Sequence, residues 1–319
     1  MGHILPPKDT DPYSIAEFIE ATMLQSEETY FSVSEIRSGF LAGQQPTDTE
    51  ISFGILEIEH RHSIMGLKYP FSSDGRGVAR VVTPGTEIYD FLLLMSLKDT
   101  PIRQDADYQR SDRLFDAIVR EAFRAKLGKG AIVFDFGWPP RGGRPADFSE
   151  AVTWAGKQLG VGDRDLDRPE NYKDGGVDVI ATGPFQDGRP GGSTVYLIQN
   201  TVKQDYIKKP RDVDPSRWKD WLRFPIAPSI GFAIPFTVPE NDDRWLEITA
   251  TSHMTMERFR LTLELGPVDV TEWAEYEDIV EFNSTEKKNI DDLEDDRKQP
   301  VIVRPRKVRK PEHRDSGVR

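Results

Sequence analysis

The sequence predicts an α/β protein: a mixed central β-sheet with flanking helices, preceded by a mainly helical N-terminal region. Three observations support this fold class. Capping patterns stand ahead of apolar residues at helical spacing in the first hundred positions. Short strand-like stretches then alternate with amphipathic helices, as is typical of α/β folds. Finally, two strands of alternating polarity flank a turn-rich segment near the middle of the 319 residues.

Residues 1–100 are expected to form the mainly helical region. Ser14-Ile-Ala-Glu17 and Ser32-Val-Ser-Glu35 each have the spacing of a capping box, and apolar residues at helical spacing follow both. A third helix is predicted from about Ile51 to His62, and residues 86–97 are apolar over a length that favours a buried helix over a strand. Short extended pieces are expected at residues 69–71 and 78–82, around a turn at 73–77.

Residues 101–283 are expected to form the α/β core. An amphipathic helix opens at Ser111 and ends at Gly128, a short strand follows at residues 131–136, and Asp147 caps the next helix. Toward the C-terminus the pattern predicts a short helix at 218–224, a strand at 230–236, regular elements of unassigned type at 245–250 and 259–265, and an acidic helix at 272–282.

Residues 284–319 are expected to form a flexible charged tail. They contain an acidic block at 291–296 and a basic block at 304–310, and such a segment cannot bury enough apolar surface to become ordered. The basic block suits a contact with DNA or RNA and a solvated terminus equally well.

The composition excludes several classes of protein. The absence of cysteine excludes a disulfide framework, a zinc–thiolate site and a cysteine nucleophile. A net charge of −12 argues against binding nucleic acid through bulk charge, although a local basic patch is compatible with it. The longest apolar run, residues 91–95, is far shorter than the ~20 residues of a membrane span. Because no signal-peptide layout opens the chain either, we expect a cytoplasmic protein without a membrane partner.

Two strands in the middle of the core are expected to form an antiparallel hairpin. They lie at residues 177–181 and 194–203, and the segment between them is dense in glycine, proline and aspartate. In the first strand Val177 and Val179 should share one face, and Asp178 should take the other.

This hairpin carries polar side chains that suit metal chemistry. A carboxylate within an apolar strand is costly to bury unless a partner compensates it. Cleavage of a phosphodiester by Mg²⁺ requires oxygen ligands and usually a nearby lysine for the transition-state charge. Asp178 is the predicted principal ligand, Gln199 a carbonyl ligand or water-positioning group, and Lys203 the cation. The alternative is an ordinary turn, followed by an aspartate that backbone donors satisfy.

At these residues the chain resembles the restriction-endonuclease-like superfamily, the PD-(D/E)XK nucleases, and in particular its Mrr-like branch and related bacterial defence proteins. Asp174-Gly-Gly-Val-Asp178 matches the first family strand, and Gln199 matches the glutamine of a second strand that ends in Gln-x-Lys. The lysine departs from the pattern, because Thr201 stands two residues after Gln199 and Lys203 one step further along the same face. The resemblance also implies an acidic residue on the preceding helix, for which Asp116 is the candidate.

The resemblance implies a divalent-metal-dependent nuclease with a restriction-endonuclease-like core, which acts on DNA in bacterial restriction or antiphage defence. Asp178 and Gln199 would hold Mg²⁺ or Mn²⁺, Asp116 would assist, and Lys203 would stabilise the scissile phosphate. Because Thr201 replaces the expected lysine, the alternative is a catalytically silent fold that serves as an interaction or scaffold subunit of a multi-protein defence complex. A small-molecule or nucleotide sensor is a third hypothesis, for which the sequence contains no binding motif.

Overall fold

The computed structural model describes residues 10–40, 45–97, 108–164, 168, 172–185, 187, 189, 191–265 and 269–286. The charged tail expected from residue 284 lies outside these ranges after residue 286. No helix within them combines the length and the apolar character that a membrane crossing requires.

The N-terminal part combines helices with a small antiparallel sheet. Its elements are α1 (Pro12–Gln25), β1 (Tyr30–Ser32), α2 (Val33–Ser38), α3 (Asp48–Met65), β2 (Phe71–Ser73), β3 (Gly77–Arg80) and α4 (Thr86–Ser96). Strand β3 lies between β1 and β2 and runs antiparallel to both. The expected helices and extended pieces are present. Strand β1 is not predicted from the sequence, because three residues directly before a helix cap show no alternation.

Capping residues set where the first helices begin. The Ser32 hydroxyl accepts the N–H of Glu35 and the Glu35 carboxylate accepts the N–H of Ser32, so the capping box predicted there is confirmed. Helix α1 begins earlier than expected, since Asp11 rather than Ser14 caps it and Pro12 is its first residue. The fixed φ of proline suits that position and favours the earlier start.

The remaining elements form a five-stranded mixed sheet and the helices that surround it. In order they are α5 (Tyr108–Leu127), β4 (Ile132–Asp135), α6 (Phe148–Gln158), β5 (Val179–Thr182), β6 (Val195–Asn200), α7 (Pro215–Trp221), β7 (Ser229–Ala233), α8 (Asp243–Thr251), β8 (Met254–Met256), α9 (Arg258–Leu265) and α10 (276–286). The strands follow the order β4-β5-β6-β7-β8, antiparallel from β4 to β6 and parallel from β6 to β8. The chain is therefore a mixed α/β protein, and the hairpin of β5 and β6 is antiparallel as predicted.

Each face of the five-stranded sheet packs against its own layer of helices. One core lies between the strands and helices α4, α5, α9 and α10, and it includes Val179 and Ile198 from the strands. The other core lies between the strands and helices α6 and α7, and it includes Ile180 and Leu197. Because both faces are buried, the face that a strand residue takes decides which helices it contacts.

A buried network of charged and tyrosine side chains joins the N-terminal helices to the second part of the chain. The guanidinium of Arg61 on α3 donates to Glu17 and Glu20 on α1, each at 2.7 Å. Arg258, at the start of α9, lies 3.0 Å from Glu17, and the Tyr89 hydroxyl on α4 donates to Glu20 at 2.7 Å. Arg61 and Arg258 are fully buried, so these bonds fix the two parts of the chain against each other.

Candidate functional site

A β-bulge at Asp178 decides which side of the sheet this residue faces. The N–H of Asp178 donates to the carbonyl of Ile198 at 2.8 Å, although Ile198 is already the register partner of Val179. Two consecutive residues therefore oppose one, which defines a bulge and interrupts the alternation of side chains. Val177 consequently packs in one core with Ile180, while Val179 packs in the other. The expectation that Val177 and Val179 share a face is wrong.

The same bulge holds the backbone of Asp178 against the end of β4. Its carbonyl accepts the N–H groups of Phe136 at 2.7 Å and of Gly137 at 2.9 Å. Gly137 is also close to the side chain, because a Cβ at that position would lie 3.2 Å from Oδ1 of Asp178. The lack of a side chain at residue 137 therefore leaves room beside this carboxylate oxygen.

Asn200, the last residue of β6, joins two carboxylates. Its backbone N–H donates to Oδ2 of Asp178 at 2.8 Å, and its side-chain amide donates to Oδ1 of Asp116 at 2.9 Å. Asp116 lies in α5, the helix that precedes the five-stranded sheet. Asp178 therefore faces the α5 side, and three segments that are far apart in sequence place one asparagine between two acidic side chains.

The guanidinium of Arg141 reaches this pair from the loop after β4. Its Nη1 donates to Oδ2 of Asp116 at 2.8 Å. The side chain of Arg141 is 25% exposed and that of Asp116 is 18% exposed. Asp116 is therefore largely buried but retains limited contact with solvent beside Arg141.

Arg144 anchors the loop that carries Arg141. It is buried, its guanidinium lies 4.5 Å from the ring centroid of Phe136, and it donates to the carbonyls of Pro145 at 2.9 Å and Lys173 at 2.5 Å. The N–H of Arg144 donates to the carbonyl of Arg141 at 3.0 Å, which closes a turn through two glycines with positive φ. The turn leaves the Arg141 side chain directed at α5.

Burial makes both carboxyl groups weak acids, and the charge of Asp116 adds to this effect at Asp178. Burial, and then the charge of Asp116, raise the pKa of Asp178 well above its usual value, against a smaller opposing effect from the N–H of Asn200. Burial also raises the pKa of Asp116 to about 7, while the Asn200 hydrogen bond and the charge of Arg141 oppose that rise. Near neutral pH the pair therefore carries less than two full negative charges, and a bound cation would stabilise its doubly ionised form.

Two of the four predicted site residues come together, and the other two lie apart from them. Asp116 and Asp178 meet at Asn200. Gln199 precedes Asn200 in β6, so its side chain takes the opposite face of the sheet. There its Oε1 is buried and has no hydrogen-bond partner in the part of the chain that the structure describes. Lys203 lies beyond the end of β6 and is exposed.

Asn200 and Arg141 are site residues that the sequence did not single out. Two residues after Asn200, beyond the end of β6, Val202 is buried in the core against α5, so the residue at this place is apolar and not a lysine. The two glycines of Asp174-Gly-Gly-Val-Asp178 belong to the turn ahead of β5, so the sequence carries no clear signal for the bulge that places Asn200, instead of Gln199, beside Asp178. Arg141 has no signal either, since its position depends on the packing of Arg144.

Asp116 and Asp178 suit a divalent cation whose other ligands are water and a substrate phosphate. Within the described ranges, no three histidine, aspartate or glutamate side chains converge as a metal cage. Mg²⁺ commonly requires only one or two carboxylates, because water and substrate phosphates supply its other ligands. Asp116 and Asp178 provide such a pair, and Gly137 leaves space at Oδ1 of Asp178.

No family model matches the chain, and neither does any curated protein or solved structure. We therefore infer function from the chemistry of the site and from the resemblance at Asp174-Gly-Gly-Val-Asp178.

Proposed function

We propose that the part of the chain from α5 to α10 is a divalent-metal-dependent nuclease with a restriction-endonuclease-like core, which hydrolyses phosphodiester bonds of DNA. One observation carries the proposal: Asp116 and Asp178 come from separate elements and meet at Asn200. The resemblance at Asp174-Gly-Gly-Val-Asp178 implies an acidic residue on the helix before the sheet, and Asp116 on α5 has that position.

Asp116 and Asp178 would hold Mg²⁺ or Mn²⁺. When bound, the cation would polarise the scissile phosphate and lower the pKa of the attacking water. Asn200 keeps both carboxylates in place, because its backbone N–H bonds one and its amide bonds the other. A bound cation would relieve the repulsion between the two carboxylates, and it would have to displace the protons that their raised pKa values retain near neutral pH.

Arg141 is the side chain that we assign to the transition-state charge. Val202, just beyond the end of β6, is apolar and buried in the core on the Asp178 side of the sheet, so we assign this role to a cation from another element. The Arg141 guanidinium contacts Asp116 from a partly exposed loop and therefore lies at the opening of the carboxylate pair. A guanidinium binds a phosphate through two parallel hydrogen bonds, so a substrate phosphate can replace Asp116 as its acceptor.

A catalytically silent core is the second candidate function. Val202 stands where a lysine would be needed, and the two weakly acidic carboxyl groups already have partners in Asn200 and Arg141. In that case the core would act as an interaction or scaffold subunit. Either form suits a role in bacterial restriction or antiphage defence, together with partner subunits.

Metal binding and DNA cleavage by the full chain separate these candidates. Thermal unfolding is measured with and without MgCl₂ or MnCl₂, and plasmid cleavage is followed in the same buffers. The proteins are wild type, Asp178→Asn and a matched control, Asp220→Asn, whose carboxylate lies on the exposed surface of α7. For a nuclease, wild type and Asp220→Asn cleave DNA and gain about 2.7 kcal/mol of stability at a metal concentration of a hundred times Kd. Asp178→Asn does neither.

Two other outcomes have distinct meanings. Equal cleavage by wild type and Asp178→Asn would show that the activity arises outside this site. Wild-type protein that neither gains stability from the metal nor cleaves DNA would favour the silent core.

A further inference from the structure

The outward face of α3 carries large apolar side chains in solvent. Phe53, Leu56 and Ile64 are 51%, 53% and 44% exposed, and Leu67, in the 3₁₀ turn after the helix, is 74% exposed. The three helical positions fall in one narrow stripe, because their spacings return to nearly the same side of a 3.6-residue helix. The opposite face of α3 is already packed in the N-terminal core, so this stripe is a second apolar face. Contiguous exposed apolar surface of this kind marks an interaction site.

Charged side chains are absent from this stripe. Its exposed positions from residue 49 onward are Thr49, Ser52, Phe53, Leu56, His60, Ser63, Ile64, Gly66 and Leu67. None of them is aspartate, glutamate, lysine or arginine, although these four types make up 30% of the chain. A solvated helix face normally carries charge, whereas depletion of charge around large apolar residues is typical of the core of a protein interface.

We propose that this stripe binds the same stripe of a second copy of the chain, antiparallel and about a two-fold axis at the level of Ile58. In that arrangement Phe53 faces Ser63 of the partner subunit, and Ile64 faces Ser52 of the partner subunit. The equal sequence distances of these positions from Ile58 create this pairing. Each large side chain thus meets a small one, which lets two helices approach closely.

The remaining positions of the stripe pair by the same rule of equal distances from Ile58. Leu67 faces Thr49 of the partner subunit, and Leu56 faces the ring of His60 of the partner subunit. A mirrored order of large and small residues is what a self-complementary surface requires, because in a two-fold contact each patch meets its own copy. A surface that binds an unrelated partner does not require such a mirrored order of large and small residues.

Light scattering after size-exclusion chromatography tests the proposal on the full chain over a wide concentration range. Leu56→Glu and Ser63→Arg each place a charge in the stripe, and Ser63 is exposed, so its substitution leaves the core intact. Ile226→Glu is the matched control, because Ile226 is an apolar side chain that is 78% exposed elsewhere. Wild type and the control should be dimers. Both stripe variants should be monomers that remain folded, as shown by a cooperative thermal unfolding transition. A monomeric wild type, or stripe variants that stay dimeric, would overturn the proposal.

Cross-linking tests the antiparallel register. The chain has no cysteine, so single substitutions introduce unique thiols. A mixture of Leu56→Cys and His60→Cys proteins should form a disulfide-linked dimer faster than either protein alone, since these two positions face each other only between copies. Faster disulfide formation in either variant alone than in the mixture would contradict the register.

Discussion

The backbone N–H of Asn200 lies 2.8 Å from Oδ2 of Asp178, so a side-chain carboxylate accepts the hydrogen bond that a strand carbonyl would otherwise accept. The bulge causes this arrangement, because it ends the regular pairing of β5 and β6 at Val179. The Asp178 carboxylate is therefore a structural acceptor as well as the candidate metal ligand. A metal requires the ionised carboxylate, whereas burial favours the neutral acid.

Asp178→Asn should stabilise the protein at high pH and lose this effect in acid. Burial, followed by the charge of Asp116, raises the pKa of Asp178 well above the ordinary value of 3.8. The folded state then binds a proton that the unfolded state has released, so wild-type stability falls as the pH rises through the raised pKa. Asparagine does not titrate, and its oxygen still accepts the N–H of Asn200. We expect a gain of about 1–2 kcal/mol at pH ~8, which disappears near pH ~4.

Thermal unfolding in metal-free buffer across this pH range measures the difference. For a protein of this size, such a gain corresponds to a rise in Tm of roughly 1–3 °C. Asp220→Asn should show no comparable dependence on pH, because its side chain is exposed. An Asp178→Asn variant that is less stable than wild type at every pH would mean that the folded state favours the ionised carboxylate.

Gly137→Ala should weaken metal binding while it preserves the fold. The added Cβ would lie 3.2 Å from Oδ1 of Asp178, the oxygen beside which Gly137 leaves room. We expect about a tenfold loss of Mg²⁺ affinity, in line with changes that perturb the surroundings of metal ligands. Titration of the metal-dependent rise in Tm measures it. Gly162→Ala is the control, since its Cβ would make a similarly close contact with the aliphatic part of Arg223 on another surface. Equal metal affinities in the two variants would argue against a cation at Oδ1.

Much of the fold follows from local signals that the sequence displays. The Ser32 capping box and the Asp147 cap mark the starts of α2 and α6, and the turn residues between β5 and β6 predict their antiparallel pairing. Asp178 could be predicted as well, because it is an acidic side chain within an apolar strand pattern, whereas Asp116 is predicted from the family resemblance.

The rest of the site depends on geometry that alternation cannot show. A strict period of two assigns Gln199 to the side of Asp178, whereas one extra residue at the bulge gives that place to Asn200. The position of Arg141 depends on Arg144, whose guanidinium packs on Phe136. Such a contact cannot be predicted from any periodic pattern in the loop sequence.

Arg141→Ala should reduce DNA cleavage by roughly 100-fold or more, because it removes a cation from the transition state. Burial raises the pKa of Asp116 to about 7, and loss of the opposing Arg141 charge should raise it further. The acidic limb of the pH–rate profile should therefore move to higher pH, since the metal needs ionised Asp116. Arg141→Lys should recover the pH profile in part, and Arg189→Ala, which removes an exposed guanidinium, should behave as wild type. A lower rate with an unshifted profile would indicate that Arg141 does not act on Asp116.

Gln199→Met should leave metal binding and cleavage unchanged. The Gln199 side chain takes the opposite face from Asp178, and its Oε1 is buried without a hydrogen-bond partner among the described residues. Replacing an unsatisfied buried polar group by an apolar group of similar shape is neutral or stabilising, here by about 1 kcal/mol. Urea unfolding and the MgCl₂ titration measure both properties. Loss of metal binding in this variant would restore Gln199 as a ligand, as the sequence pattern first suggested.

Arg61→Ala should destabilise the protein by about 3–5 kcal/mol, because it removes one of the two buried guanidinium groups that compensate Glu17 and Glu20 and leaves Arg258 to pair with both. The side chains of Arg61 and Glu20 are both fully buried, and their charged atoms lie 2.7 Å apart. Arg244→Ala is the control, since Arg244 is 53% exposed and its pairing with Asp242 should contribute less than about 1 kcal/mol.

Urea unfolding measures these losses, and a double variant identifies their cause. Arg61→Met combined with Glu20→Gln removes both charges, so it should lose less stability than Arg61→Ala alone if the uncompensated carboxylate causes the loss. A double variant that is less stable than the single variant would instead show that the ion pair itself stabilises the packing of α1 on α3. In either case the N-terminal helices and α9 should unfold together, because Arg258 ties Glu17 to the start of α9.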